Sequence, residues 1–222
     1  MLELLLQCLP VQRRLLHAGD AAYGAGSAFT QLHVVNGGCF KIVETSADGR
    51  DQIVGLQFRG DWLGFDGLAS GRHGCDALAL DTSEVWTLRY DSLLQAAASH
   101  PALMLELHTQ MGRAITQARG SVMSLCCLPS VARVADFLRK WALAVAAPGQ
   151  GVDRFTLPMS RAEIGNHLGM TIESVSRALS LLVRSGVIRF TDKGRHDVVI
   201  PDPAALAAFI EGEAVAGAVS AA

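Results

Sequence analysis

The sequence carries a short polar set near its C-terminus whose residue types and spacing suit the reading of DNA bases. Glu173, Ser176 and Arg177 are spaced so that they project from one side of an α-helix. An arginine can donate two hydrogen bonds to guanine O6 and N7, and a glutamate can accept one from cytosine N4. A serine hydroxyl can contact a base edge or a phosphate. The set therefore predicts a helix that enters the major groove of double-stranded DNA.

Two helices joined by a tight turn are predicted to hold this set in place. Ser160 and Glu163 have the spacing of a capping box, which begins the first helix, and Gly169 suits the left-handed position that ends it. Thr171 then caps a second helix that begins at Ile172 and ends near residue 185, and it is also among the residues expected to contact DNA. The predicted inward positions of this helix are Val175, Ala178, Leu179 and Leu182. Such a pair forms a helix-turn-helix, whose second helix reads the groove.

The segment after the second helix predicts a two-stranded wing with basic side chains, spanning residues 187–200. Lys193 and Arg195 lie in its turn, and we expect them to contact the phosphate backbone together with Arg161 at the start of the first helix. The chain as a whole has a net charge of −2, yet residues 161–195 hold six basic side chains against three acidic ones. The positive charge is therefore concentrated where DNA is predicted to lie.

The N-terminal part of the chain, up to about residue 94, predicts a small antiparallel β-barrel or β-sandwich. Asn36-Gly37 and Asp48-Gly49 are turn signals, because both central positions of a tight hairpin turn must accept positive φ. Short apolar runs separated by turns are typical of an all-β domain. The predicted strands are residues 32–35, 40–45, 52–58, 77–80 and 84–88.

A long helix is predicted between residues 102 and 128, where the chain has no proline and only two glycines. Its side chains recur at alternating intervals of four and three residues, the period of a two-stranded coiled coil. The seam consists of Met104, Met111, Ile115, Ala118, Val122 and Leu125, with His108 as a tolerated polar position. A second register shares three of these positions and adds Leu107, Ala114 and Ser121. We interpret the seam as a parallel contact with a second copy; the alternative is one amphipathic helix that faces its own domain.

The predicted domains follow from these elements. They are a β-roll sensor domain in residues 1–100, a dimerisation helix in residues 101–128 and a DNA-binding domain in residues 129–222. No apolar run reaches the roughly 18–20 uncharged residues of a membrane span. The first ten residues lack the features of a signal peptide, and five irregularly spaced cysteines do not form a secreted disulfide framework. We therefore expect a cytoplasmic protein.

Catalytic patterns are missing from the sequence. It contains no Ser/His/Asp set, no HExxH motif and no phosphate-cradling glycine loop, and no metal site is predicted. Asp residues in glycine-rich turns, such as Asp61 and Asp66, are explained by backbone preferences. We therefore do not expect an enzyme.

Three segments of the chain resemble the Crp/Fnr superfamily of bacterial transcription regulators. They are residues 159–177 (MSRAEIGNHLGMTIESVSR), 60–67 (GDWLGFDG) and 70–73 (SGRH). The likeness extends over about residues 11–210, and the Glu-x-x-Ser-Arg set is similar to that of the Fnr branch. It implies an α+β fold: an N-terminal β-roll of the cyclic-nucleotide-binding-like jelly-roll type, a long dimerisation helix and a C-terminal winged helix-turn-helix.

The resemblance also implies a function. A protein of this type would act as a homodimeric transcription regulator, mostly an activator, with RNA polymerase as a further partner. Glu173, Ser176 and Arg177 would then read a TTGAT-type half-site, repeated as a palindrome across the dimer.

Two departures from the family argue against its best-known cofactor and effector. Fnr oxygen sensors bind an iron–sulfur cluster through four cysteines, but here only Cys8 precedes the roll and Trp86 stands at the internal cysteine position. The cyclic-nucleotide signature has a glutamate and an Arg-Ser pair, at positions that hold Phe65 and Gly74-Cys75 in this chain. We therefore expect neither an iron–sulfur cluster nor cyclic AMP.

Other inputs remain open at this stage. Cys75 with His73, or Cys39, are candidate haem ligands, although single His and Cys residues are more often structural. Cys126 and Cys127 are candidates for a redox switch, and buried core filling is the alternative. The rival function is a ligand-binding or haem- or redox-sensing module whose helix-turn-helix mediates protein contacts.

Overall fold

The computed structural model describes residues 6–146, 154–194 and 196–220, without the side chains of residues 216–220. It forms two compact units, Met1–Ala118 and Arg119–Ala222. Among the described residues, no helix combines the length and the apolar character that crossing a membrane requires.

The first unit contains two antiparallel four-stranded sheets. Their strand orders are β1-β8-β3-β6 and β2-β7-β4-β5. The strands are β1 (Gln12–Leu16), β2 (Ala21–Tyr23), β3 (Gln31–Gly37), β4 (Cys39–Thr45), β5 (Asp51–Phe58), β6 (Trp62–Leu63), β7 (Asp76–Ala79) and β8 (Ser83–Arg89). The five predicted strands are confirmed as β3, β4, β5, β7 and β8, whereas the sequence analysis missed β1, β2 and β6.

Alternation of side chains along β3 shows how the sheets build their core. Leu32 and Val34 pack into a cluster with Trp62 and Leu88 that also includes residues of the helices that follow the strands. Val35 belongs to a second cluster, which contains residues of both sheets, such as Phe40 of β4. Successive strand residues point to opposite faces, so one strand can serve both clusters.

Two helices follow the last strand of the first unit. The chain forms helix α1 (Tyr90–Ser99) where strands were expected to continue to about residue 94, so that prediction is wrong. Leu93 and Ala97, four residues apart, are its buried positions, and this helical interval was the signal that the sequence analysis overlooked. Helix α2 (Pro101–Cys127) has 27 residues and is therefore about 40 Å long.

The two ends of α2 have different surroundings. Leu103, Leu107 and Gln110 are buried, and Met104 and Met111 are partly buried against the core of the first unit. His108 and Ala118 are exposed. The exposed large apolar side chains further along are Ile115, Val122, Met123 and Leu125. The first members of the predicted seam thus pack partly within their own unit, and the later members face solvent.

The second unit combines helices with a small sheet. After α3 (Ser130–Val145) come β9 (Arg154–Thr156), α4 (Arg161–Leu168), α5 (Ile172–Arg184), β10 (Arg189–Phe190), β11 (Asp197–Val199) and α6 (Pro203–Ser220). The sheet has the order β10-β11-β9, so the wing belongs to three strands rather than the two that were predicted. The third strand is only three residues long and pairs with a distant segment, which local sequence patterns do not reveal.

Candidate nucleic-acid interface

The first helix of the predicted helix-turn-helix begins and ends as its sequence indicates. The backbone N–H of Glu163 donates to Ser160 Oγ at 3.2 Å, and the N–H of Ser160 donates to Glu163 Oε2 at 2.9 Å. This reciprocal pair is the capping box. Gly169 ends α4 with φ of 61°, a conformation that glycine adopts without steric cost. The predicted cap and turn are therefore confirmed.

The backbone of the turn between α4 and α5 passes very close to Gly165 of α4. A Cβ atom at this position would lie 2.6 Å from the carbonyl oxygen of Met170, in the turn between the helices. The N–H of Met170 donates back to the Gly165 carbonyl at 2.8 Å. The turn can close this tightly only because residue 165 has no side chain, and it then delivers the chain to Thr171.

Helix α5 divides into a buried side and an exposed side. Its buried residues are Val175, Ala178, Leu179 and Leu182, as predicted. Glu173, Ser176 and Arg177 are exposed. Thr171 caps the helix, because its hydroxyl accepts from the N–H of Ser174 at 3.2 Å. The structure therefore places the three predicted base-reading side chains together on the solvent face.

On this face the ionised carboxylate of Glu173 lies near the guanidinium of Arg177. The pKa of Glu173 lies below its usual range, because its own backbone N–H, the hydroxyl of Thr171 and the charge of Arg177 favour the carboxylate. Arg177 Nη2 donates to Ser174 Oγ at 3.4 Å. The face therefore presents one acceptor-only group and one donor-only group about one helical turn apart.

One apolar residue of this face was missed by the sequence analysis. Ile172, the first residue of α5, is 51% exposed, although Val175 three residues later is fully buried. Ile172 is three residues before Val175, a spacing that predicts a position on the same buried face. Helical periodicity alone therefore gives no sign that Ile172 is exposed. An exposed apolar side chain next to Glu173 can contact the C5-methyl group of thymine.

An open groove of about 250 Å³ adjoins the same face. It lies between the first turn of α3 and α5, and its lining residues are Ser130, Val131, Ser174, Arg177, Ala178, Leu181 and Arg184. The N-cap of α3 is Pro129, and among the residues that the structure describes no side chain caps that helix end. The N–H groups at a helix start and nearby arginines favour an anion. Ser130 and Arg184 were not among the predicted site residues, because only the fold brings them beside α5.

The wing is ordered by Asp192. Its carboxylate accepts from the N–H of His196 at 2.9 Å and of Asp197 at 2.8 Å, and these bonds hold its pKa below the usual range. Lys193 is exposed in this turn, whereas Arg195 lies outside the described residues. The Arg161 guanidinium lies 5.4 Å above the ring of Phe190, which ties the start of α4 to strand β10.

A polar cluster in the first unit extends from the buried His73 to the exposed Asp66. His73 is buried and stacks on Tyr23 with 3.8 Å between ring centroids. The Tyr23 hydroxyl donates to Asp66 Oδ1 at 3.2 Å, and the N–H of Gly74 donates to Asp66 Oδ2 at 2.8 Å. On the same side of the roll, His33 is buried beside the hydroxyl of Thr87 at 3.0 Å. These side chains bind one another.

Apart from the half-buried Cys8, the cysteines fall into two groups. Burial raises the pKa of Cys39 to about 12 and that of Cys75 to about 12, with the carboxylates of Asp81 and Asp66 adding to the effect. Both thiols are thus protonated near neutral pH. Cys126 and Cys127, by contrast, are exposed at the end of α2. Within the described part of the chain, no three His, Cys, Asp or Glu side chains are grouped as metal ligands.

Comparison with known proteins matches both halves of the chain. A family model described as the cyclic nucleotide-binding domain matches residues 13–100, and one described as the Crp-like helix-turn-helix domain matches residues 132–209. The first match covers the β-roll, and the second covers α4, α5 and the wing.

Individual relatives agree with these matches. The chain is 33% identical over 184 residues to the transcriptional regulatory protein btr of Bordetella pertussis, which covers 82% of this chain and 71% of that protein. It is 29% identical over 182 residues to the fumarate and nitrate reduction regulatory protein of Escherichia coli (strain K12), with 82% and 73% covered. The structure of FixK2 from Bradyrhizobium japonicum aligns with a TM-score of 0.78 at 28% identity, covering 90% of this chain and 96% of that one. These relatives are transcription regulators rather than enzymes, and the chain itself belongs to the Crp/Fnr family of helix-turn-helix transcription regulators.

Proposed function

We propose that this regulator binds a TTGAT–ATCAA palindrome as a homodimer and reads each half-site with helix α5. One observation carries the proposal: Glu173, Ser176 and Arg177 are exposed together, while the opposite side of the helix is buried. Buried apolar residues anchor the helix, so its polar face is free to enter the major groove. In this arrangement Arg177 forks onto guanine, Glu173 accepts from cytosine N4 and Ser176 contacts a base edge or a phosphate.

Contacts to the DNA backbone would come from groups around this face. The groove beside α5 offers Ser130, Arg184 and the uncapped start of α3 to a phosphate. Lys193 of the wing is exposed and basic, as phosphate contacts require. Arg161 is placed to support the wing through Phe190 and to add positive charge near the backbone.

The dimer is proposed to form along α2. Ile115 and Val122 are 53% and 57% exposed, and Leu125 is also exposed. A parallel α2 of a second copy would cover these side chains, since their spacing follows the coiled-coil period. By family resemblance, we propose that the DNA-bound dimer contacts RNA polymerase and activates transcription. We also propose that the protein acts in the cytoplasm.

We propose that the roll does not hold a cyclic nucleotide in the family's way. The N–H of Gly74, at the position of the missing Arg-Ser pair, already donates to the Asp66 carboxylate. An anionic phosphate at this place would meet that carboxylate. A haem iron at Cys39 or Cys75 would have to overcome the raised pKa of these buried thiols, which makes ligation there more costly. We therefore propose that the protein uses neither group.

Fluorescence anisotropy with a labelled TTGAT–ATCAA duplex tests this function. We expect the wild type to prefer this duplex over a scrambled one, with an affinity that falls linearly with salt on a log–log scale. Arg177→Ala should lower specific affinity about 100-fold or more, because a lost bidentate guanine contact counts in both half-sites.

Arg50→Ala is the matched control, since Arg50 is equally charged and exposed but lies in a turn of the first unit. It should bind like the wild type, and sedimentation should show that both variants remain dimers. Unchanged specific binding by Arg177→Ala would sink the assignment of α5. Salt-independent behaviour with no DNA affinity would favour a helix-turn-helix that contacts protein.

A further inference from the structure

The junction between the long helix and the DNA-binding elements is very short. Only Leu128 and Pro129 separate the end of α2 from the start of α3. The proline ring fixes φ of residue 129, here at −57°, and it also restricts the residue before it. Few backbone torsions are left that could change the direction of α3 relative to the last turns of α2.

A buried carboxylate on α3 bonds back to α2 across this junction. Asp136 is only 6% exposed. Its Oδ2 accepts from the Ser124 hydroxyl of α2 at 3.2 Å, and it pairs with Lys140 at 2.7 Å and Arg139 at 2.8 Å on its own helix. Burial acts to raise the pKa of Asp136, but Lys140 and Arg139 outweigh it and hold the pKa below the usual range. The group that Ser124 meets is therefore a carboxylate, the stronger kind of acceptor.

An arginine on the same side of α3 adds a second link. Arg133 Nη2 donates to the carbonyl of Leu128 at 3.1 Å, and its Nη1 donates to the carbonyl of Leu168 at 2.9 Å. One guanidinium therefore joins the chain at the end of α2 to the end of α4, the first helix of the helix-turn-helix. Arg133 and Asp136 are three residues apart, so they lie on neighbouring positions of one helix face.

We infer that the Ser124–Asp136 contact, supported by Arg133, sets the angle of the recognition helix against the long helix and so determines which half-site spacing the protein accepts. The inference rests on the proposed binding of a palindrome by a dimer. One added base pair moves the second half-site by about 3.4 Å and turns it by about 35°. A junction with both links cannot follow that change, whereas a loosened junction can.

The test compares operators that differ only in the number of base pairs between TTGAT and ATCAA. We expect the wild type to prefer one spacing, and Ser124→Ala to reduce the ratio of best to next-best affinity about tenfold or more, the effect of one hydrogen bond to a charged group. Discrimination against a changed base within TTGAT should stay as in the wild type, because α5 is intact. A general loss of structure would weaken both kinds of discrimination together.

Two variants serve as controls. Ser124→Thr keeps the hydroxyl and should keep the spacing preference. Arg139→Ala removes a partner of Asp136 that does not cross the junction, and it should also keep the preference. An unchanged spacing ratio in Ser124→Ala, or a wild type that accepts all spacings equally, overturns this inference while the proposed function stands. Absence of specific binding by the wild type at every spacing overturns both.

Discussion

The roll and the recognition helix both collect ionisable and polar side chains, but they use them in opposite ways. In the roll, Tyr23, Asp66 and His73 are stacked or hydrogen-bonded to one another. On α5, Glu173 and Arg177 face solvent. A polar group that already has a partner must break that bond before it can bind anything else, and this costs free energy. Glu173 and Arg177 have nearby partners in Thr171 and Ser174 but remain exposed to solvent, so a ligand can reach them without entering a core.

The pKa values follow the same division. Burial, assisted by the charges of Arg14 and His73, lowers the pKa of His33 to about 4, so this histidine is neutral in the folded roll near pH 7. Glu173 is ionised, and its pKa is lowered by hydrogen bonds at an open helix end rather than raised by burial. Burial in the roll thus favours the neutral form of His33, whereas the open end of α5 favours the charged form of Glu173. Three further experiments test this contrast, in order of decreasing effect.

The largest effect is expected from Gly165→Ala. This variant tests whether the exposed face of α5 depends on the close contact between residue 165 and the turn before α5. The new Cβ would lie 2.6 Å from the Met170 carbonyl oxygen, so the turn must open. We expect the free energy of unfolding of the second unit to fall by about 3 kcal/mol, as for other overpacked sites. Chemical denaturation followed by circular dichroism measures it. Gly212→Ala is the control, because its Cβ meets nothing within 4 Å; equal stability of the two variants would show that the turn tolerates a side chain.

A middle-sized effect is expected from pH on the buried histidine. The folded pKa of His33 is about 4, below the ordinary value of about 6.5 in the unfolded chain. As the pH falls between these values, the unfolded chain takes up a proton that the folded chain does not. The stabilisation is therefore complete above about pH 6.5 and lost on going down to about pH 4, which amounts to about 2 kcal/mol between pH 7.5 and pH 5.

Urea denaturation at the two pH values, compared between the wild type and His33→Gln, isolates this contribution. The variant can keep the hydrogen bond to Thr87 but cannot titrate, so its stability should depend less on pH by that amount. His17→Gln, a change at an exposed histidine, should behave like the wild type. If the wild type and His33→Gln showed the same pH dependence, this would contradict the lowered pKa of the buried His33.

The smallest effect on binding is expected at Ile172. It tests whether this apolar residue on the exposed face of α5 contacts a thymine methyl group. Replacing thymine by uracil within TTGAT removes only a methyl group. We expect this to weaken wild-type binding about fourfold for each methyl lost, the value of one buried methyl contact, and to leave Ile172→Ala unaffected. Val183→Ala, at an exposed apolar site near the other end of α5, should retain the full uracil effect. An equal loss in Ile172→Ala would exclude this residue as the reader of the methyl.

Local patterns were sufficient for the elements whose signals lie close together in the chain. The capping box of Ser160 and Glu163, the left-handed Gly169 and the two sides of α5 all follow from intervals of one to four residues, and the structure confirms them. Strand β9 and helix α1 were missed for different reasons. β9 is stabilised by pairing with residues some forty positions later, whereas the helical interval in α1 was present but interpreted as strand.

The amino-acid sequence was thus enough to indicate the helix-turn-helix and the residues expected to read bases, because both depend on periodicity and local capping within one or two elements, while the family was implied by the resemblance of three short segments. It could not show that Ser130 and Arg184 share a groove with Arg177, nor that Asp136 bonds to Ser124 and Arg133 to Leu168. Those arrangements arise from packing between helices, where a contact depends on the path of the chain between two residues as much as on their chemical types.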